Sequence, residues 1–281
     1  MSGSEIKTAV LGVKGEGVHS SEEYIRMAFK KNFNVIKTSP AARNYEEANE
    51  FVQLAENQGV NFTVINPARS LESFVRLRSA VQSGLIDHPF MIKIECEVRS
   101  ADQHPWQKDP RLAGGGVMLY ECHDLVDQLV ANFGVPQQVY SLNTGIAGDR
   151  QQRLSMTEDI SYVMMKFSDS LIGLISATRT HGPEKKLLRI YGADKILTVT
   201  GDRFVLSDSG GNELESVSAE VPGKECIRRQ LENFAVIIES PQSNVPISSS
   251  LENLRHAALV ESAYLSARTG MPEEPGRMLK L

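Results

Sequence analysis

The stretch FNVIKTSPAARNYEEANEFVQLAENQGVNFTV, from Phe33 to Val64, decides the fold. FNVIK (33–37) and VNFTVIN (60–66) are short apolar runs of strand length. Between them NYEEANEFVQLAENQG (44–59) reads as a helix, with Asn44 as N-cap, acidic residues in the first turn and Gly59 as its stop. Strand, Pro-marked turn, helix and strand in this order imply parallel strands joined by a crossover helix. The rhythm continues outward. KTAVLGV (7–13) reads as a strand and SSEEYIRMAFKK (20–31) as a helix whose Tyr24, Ile25, Ala28 and Phe29 share one face. LESFVRLRSAVQSGLI (71–86) reads as a third helix.

Beyond residue 88 the pattern changes. PFMIKIECEVR (89–99) alternates as a strand with one buried face, and a polar loop follows it. A helix is predicted from about Val117 to Phe133, ended by Gly134 and Pro136. QQVYSLNTGI, DISYVMMKF, LIGLISATRT, KLLRIYG, KILTVTG and RFVLSD then read as successive strands of a mainly antiparallel sheet. CIRRQLENFAVIIES and SLENLRHAALVESAYLSARTG close the chain as helices. The expectation is a partial Rossmann-like parallel α/β unit over 1–87. A large, mainly antiparallel open-sheet α/β domain follows over 88–281, with the boundary near residues 84–90.

The composition narrows the function classes. With 41% hydrophobic and 23% charged residues the 281-residue chain is ordinary globular protein, large enough for a sizeable core. A net charge of −5 gives no attraction to nucleic acid or an anionic membrane. No apolar run has the ~20 residues a membrane helix needs, and MSGSEIK has no apolar signal core. Cys96, Cys122 and Cys226 are widely spaced, which fits small buried side chains in a reducing, cytoplasmic setting. No His, Cys or carboxylate cluster has the spacing of a metal site.

The most specific local feature is HPWQKDPRLAGGGVMLYECHDLVDQLVANFGVP (104–136). Three glycines at a helix entry let backbone amides approach either a ligand or a neighbouring strand. This segment resembles the start of the C-terminal domain in the glucose–fructose oxidoreductase / inositol dehydrogenase (Gfo/Idh/MocA) family. The likeness extends to NVIKTSPAARNYEEANEFVQLAENQGVNFTV, to ARSLESFVRLRSAVQSGLI and to the closing helices. It implies a Rossmann domain, an open-sheet second domain, and NAD(P)-dependent chemistry on sugars or cyclitols.

The departures from the family pattern fall on its catalytic positions. The resemblance implies Glu-Lys-Pro at the end of the second strand; aligned on Pro40, the lysine position holds Ser39 and the glutamate position Thr38. Serine has neither the cation nor a pKa suited to proton transfer near neutrality. Lys37 shares the strand face of Ser39 and is expected to face solvent. After the glycines the family places an aspartate and, four residues on, a histidine; here Tyr120 and Asp124 stand there. His123 is one residue out of register, about 100° round the helix. Asp127 matches a family aspartate whose role is mainly structural.

The resemblance also implies that the chain reads from inside the Rossmann fold, with KTAVLGV as a fourth strand and His19 matching a histidine common after it. The rival reading makes Gly12, Gly15 and Gly17 a phosphate loop, but the spacing is GxxGxG and Glu16 stands beside it. Trp106, Asp109, His123, Arg179 and His181 are candidates for a ligand cleft, with His104 in the same loop. His88 and His256 are taken as structural. The expectation is a non-catalytic relative: a scaffold, a binder of a sugar-like small molecule or a regulatory subunit, with no cofactor and no metal. The alternative is an active NAD(P)-dependent oxidoreductase using Tyr120 or Asp124 as acid/base. A homo-oligomer through the large sheet is expected, and a partner subunit could cover the exposed edge of the parallel sheet.

Overall fold

β2 (Asn34–Thr38) is the middle strand of a parallel sheet, between β1 (Thr8–Leu11) and β3 (Phe62–Ile65). The structure is a computed structural model describing residues 7–12, 18–99, 105–145, 157–180, 183–219, 221–240 and 246–280, with 18–21 in backbone only. α1 (Val18–Lys30) and α2 (Tyr45–Gln58) pack on this sheet. Asn44 caps α2 by accepting from the Glu47 amide at 2.9 Å, and Gly59 ends it in the left-handed region at φ 63°. Ile25, Phe29, Val35, Phe51, Phe62 and Val64 form the core of this unit, with Phe62 meeting Phe29 and Phe51 edge to face.

The second sheet has the order β11-β10-β9-β8-β4-β7-β6-β5. β4 (Met91–Glu97) is its central strand, parallel to β7 (Ile172–Thr178) and antiparallel to β8 (Lys185–Tyr191). β5 (Gln138–Thr144) and β6 (Ile160–Lys166) extend it one way; β9 (Lys195–Val199), β10 (Arg203–Asp208) and β11 (Glu213–Ser218) extend it the other. β11 was not anticipated. Its sequence ELESVS is polar and only half covered, so it lacks the apolar signal of a strand and relies on pairing with β10.

One face of this sheet is covered by α3 (Glu72–Gln82), α5 (His123–Phe133) and α7 (Ser250–Thr269). Ile92, Ile94, Val163, Ile175, Leu188 and Leu197 from the strands meet Leu77, Leu125, Leu129 and Leu259 from the helices. Strand alternation puts the intervening residues on the other, open face. α4 (Pro110–Ala113), α6 (Gly223–Glu239) and α8 (Pro275–Leu279) complete the helices among the described residues. The expected helix from Val117 starts late, at His123: in residues 117–122 the Tyr120 and Glu121 amides bond back four residues, but the Cys122 amide reaches five, to the Val117 carbonyl, and breaks the helical ladder.

The two units are joined by a buried ionic clamp. After β3, a single turn (Pro67–Ser70) projects Arg69 across to α5 and α7. Its Nε and Nη2 each donate to Asp127 at 2.6 Å, and Nη1 donates to Glu252 at 2.7 Å and to the Ile247 carbonyl at 2.6 Å. Asn66 adds a 2.7 Å bond to Asp127, and Gln230 on α6 accepts from the Asn66 amide at 3.0 Å. Burial raises the Asp127 carboxyl, but the Arg69 guanidinium outweighs it and holds the group below its ordinary range. Asp127→Asn would remove the carboxylate that takes the buried Arg69 Nε and Nη2, leaving the guanidinium a carboxylate only at Nη1, from Glu252. Urea unfolding is expected to show a loss of about 3–5 kcal/mol; a loss below about 1 kcal/mol would contradict the clamp.

Candidate functional site

The cleft end of β2 is built around Lys37, not around Ser39. The expectation of a solvent-facing Lys37 fails: the residue is 4% exposed, because β2 is a central strand covered on both sides. Its ammonium donates to the Pro40 carbonyl and, at 3.2 Å, to the Thr38 carbonyl. Burial pulls its pKa down to about 8, with Glu47 and Glu22 pulling the other way. Ser39 is half-buried, its amide donating to the Ile65 carbonyl at 3.1 Å, and the Ser39–Pro40 peptide is cis.

Beside this strand end, Arg43 donates to Glu22 at 2.6 Å, to Glu47 at 2.8 Å and to the Arg111 carbonyl at 3.0 Å. Burial and the Glu47 carboxyl push Glu22 up to about 7. His123 and His256 face each other with ring centroids 4.2 Å apart, both buried. Burial pushes His123 down to about 4 and His256 well down, so both rings are neutral at pH 7. His123 thus points into the interior, consistent with its being one residue out of register. His88, by contrast, is a surface residue beside Asp87.

The glycine segment is occupied by the protein itself. The Glu158 carboxylate accepts from the Gly116 amide at 2.9 Å, the Met118 amide at 2.9 Å and the Tyr264 hydroxyl at 3.0 Å. Val117 donates to the Glu158 carbonyl at 2.9 Å. A side chain at Gly114 would strike Arg43, one at Gly115 the Tyr264 ring, and one at Gly116 the Glu158 backbone. Of the two readings left open by the glycines, close approach to a neighbouring segment is the one realised. Glu158 and Tyr264 had no local signal in the sequence; they lie 42 and 148 residues from Gly116.

Tyr120 and Asp124 are committed to structural partners. The Tyr120 hydroxyl donates to the Ala113 carbonyl at 2.6 Å, and its ring meets Trp106 edge to face at 5.6 Å. Burial pushes the phenol above its ordinary value. Asp124 accepts from Lys186 at 3.0 Å. Next to it Glu121, which sequence reading passed over, is raised by burial, and one of its carboxyl oxygens is buried without a hydrogen bond. Arg179 pairs with Asp159 at 2.7 Å and donates to the Thr157 carbonyl at 3.0 Å. Asp109 caps α4 and pairs with Arg111 at 3.2 Å. The structure therefore brings Trp106 to Tyr120, and ties Asp109, Asp124 and Arg179 into separate ion pairs.

Of the phosphate-loop candidates, Gly12 lies among the described residues. Gly12 follows β1 with open space around it, so no close approach demands a glycine there. Gly15, Gly17, His104, His181 and the His19 side chain lie outside the described residues. A dinucleotide spans two βαβαβ halves, and the small parallel sheet supplies one among the described residues. Among the described residues, the Gly116 and Met118 amides are held by Glu158 and the Lys37 ammonium by carbonyls, so these groups do not fit NAD(P). Among the described residues no three His, Cys, Asp or Glu are arranged to hold a metal, and no helix is long and apolar enough to cross a membrane.

Residues 74–198 match the GFO/IDH/MocA C-terminal domain. An uncharacterized oxidoreductase of Schizosaccharomyces pombe is 26% identical over 152 residues, covering 53% of this chain and 40% of that protein. The chain thus matches well under two thirds of that curated relative. Among solved structures, an oxidoreductase from Thermotoga maritima aligns at TM-score 0.80 and 17% identity, over 97% of this chain and 79% of its own. An aldose-aldose oxidoreductase from Caulobacter crescentus, complexed with glycerol, aligns at 0.79 and 17%, over 94% and 78%. An Agrobacterium radiobacter oxidoreductase in complex with NAD+, L-tartaric acid and magnesium aligns at 0.77 and 16%, over 95% and 80%. At these identities the likeness is one of fold.

The Glu158 lock makes a pH prediction. Burial raises its carboxyl from an ordinary 4.5 to about 7, so the folded state holds this proton more tightly than the unfolded chain. Its contribution to stability is fully present below about pH 4.5 and is lost as pH rises through about 7. Glu158→Gln keeps a neutral group but turns an amide N–H toward a backbone donor, at a cost of about 1–3 kcal/mol. The stability gap between wild type and variant, read by urea unfolding, is expected to be largest near pH 4.5 and to narrow toward pH 7. A gap that widens with pH would contradict the assignment.

Proposed function

We propose that this chain, whose residues 74–198 match the GFO/IDH/MocA C-terminal domain, is a non-catalytic member of that family, a structural or regulatory subunit. One observation carries this reading. The three positions where the family resemblance places acid–base groups hold Ser39, a Tyr120 phenol donating to a backbone carbonyl, and an Asp124 carboxylate paired with Lys186. A general acid or base needs a pKa near the working pH and a free hydrogen-bonding edge. Serine carries no such group, the Tyr120 phenol is raised by burial and donates to a carbonyl, and the Asp124 carboxylate is bonded to Lys186.

A second reading keeps the chemistry and uses Lys37, whose pKa of about 8 suits proton transfer. Against it, the ammonium is already committed to two carbonyls. The purified chain, given NAD+ or NADP+ with a panel of aldoses and cyclitols, is expected to produce no absorbance at the reduced-nicotinamide band. Turnover abolished by Lys37→Met would overturn the non-catalytic reading and establish the second one.

Assembly in pairs through the open face of the large sheet is part of the proposal. Leu142, Tyr162, Met164 and Ile172 are each more than half exposed there, and Leu142 sits directly opposite Tyr162 across the β5–β6 ladder. Lys93, Glu95 and Arg189 on β4 and β8 adjoin this patch with both signs of charge, so a two-fold copy can match apolar to apolar and cation to carboxylate. A stable interface takes about 800 Å² from each partner. The edge strand β1, with Val10 well exposed, offers a further surface for a partner. Light scattering is expected to give a dimer or a larger even assembly, and Met164→Glu to dissociate it. A monomeric wild type at micromolar concentration would contradict this.

A further inference from the structure

A groove of ≈ 300 Å³ opens between the turn after β3, α3, α5 and α6, and it uses none of the residues at the family's acid–base positions. Arg69, Arg78 and Arg229 line it from three different elements, and among the described residues no carboxylate lines it. Phe74 and Ile247 contribute apolar wall. Gln128 on α5 also lines it; the residue is 4% exposed, and its amide nitrogen is buried without a hydrogen-bond partner. An unpaired buried donor costs about 1–3 kcal/mol, a cost a bound acceptor would remove.

The arginines differ in how far they are spent. Arg69 is saturated by Asp127, Glu252 and the Ile247 carbonyl. Arg78 makes one long bond, 3.3 Å to Glu252. Arg229 shares its Nε with Glu225 at 3.2 Å and reaches the Ser70 carbonyl only at 3.5 Å. Each guanidinium has five N–H donors, so Arg78 and Arg229 keep most of theirs for an acceptor in the groove. One guanidinium fork satisfies one carboxylate; cations converging from several sides suit a group with three terminal oxygens.

We propose that this groove binds a phosphorylated small metabolite, its phosphoryl group held by Arg78 and Arg229 and its carbon body resting on Phe74 and Ile247. The size is at the lower end for small-molecule sites, consistent with a compact monophosphate and not a dinucleotide. The site stands independently of whether the chain turns over a substrate.

The test is thermal unfolding of the full chain in phenyl phosphate up to about 10 mM at constant ionic strength, with chloride and benzoate as controls. A saturable rise in Tm with phenyl phosphate is expected, with benzoate binding about tenfold more weakly. The double variant Arg78→Gln/Arg229→Gln changes side chains at the surface, so it is expected to keep the unliganded Tm and to weaken phenyl phosphate about tenfold or more. No rise beyond chloride, an equal rise with benzoate, or an unchanged response in the double variant would each overturn the proposal.

Discussion

The buried contact between Arg69 and Asp127 is the constraint on which the rest of the molecule depends. It fixes the turn after β3 to α5, and through Glu252 it fixes both to the start of α7. α7 then runs past both units: Leu254 and Ala257 pack on the small core, Leu259, Ala263 and Tyr264 on the large one. A charge pair this deep is stabilising only if nearly every donor and lone pair is used, and here Asn66 and a backbone carbonyl take what the ions leave. Its specificity follows from the same fact. Any other docking of the two units would leave a guanidinium or a carboxylate buried alone.

The same helix supplies Tyr264 to the second lock, where Glu158 gathers the amides of the glycine segment. The two locks together determine what the cleft residues can do. Glu158 holds the Gly116 and Met118 amides at the start of the 117–122 turn, and the Tyr120 hydroxyl in that turn donates to the Ala113 carbonyl. α5 begins at His123, whose ring turns inward to His256. In the proposed reading, Tyr120 and Asp124 at the positions of the family resemblance are packing groups, each with a partner of its own. That is the physical content of calling the chain non-catalytic: its hydrogen bonds are already made.

Much of this frame was legible in the sequence. Asn44 and Gly59 fix the ends of α2, and the two-residue alternation of β4 through β10 gives the buried and open faces. The likeness to the GFO/IDH/MocA C-terminal domain was legible in the glycine segment, which lies inside the matched residues 74–198. What was not legible depends on contacts distant in the chain. Lys37 looks like a surface lysine until β1 and β3 are placed on either side of it. Glu158 is one acid in a polar stretch until the fold carries Gly116 to it. β11 has no apolar periodicity and exists through its ladder with β10. The groove arginines come from separate elements, so no local motif marks them.

The most direct test of the central claim is a calorimetric titration of the purified chain with NADH and with NADPH, taken to about 1 mM. A protein whose Gly116 amide and Lys37 ammonium are already satisfied is expected to give no binding heat and no thermal stabilisation with either nucleotide. Saturable binding of either one with affinity of about 10 μM or tighter, some −7 kcal/mol, would show that a cofactor site exists in spite of these contacts and would contradict the account.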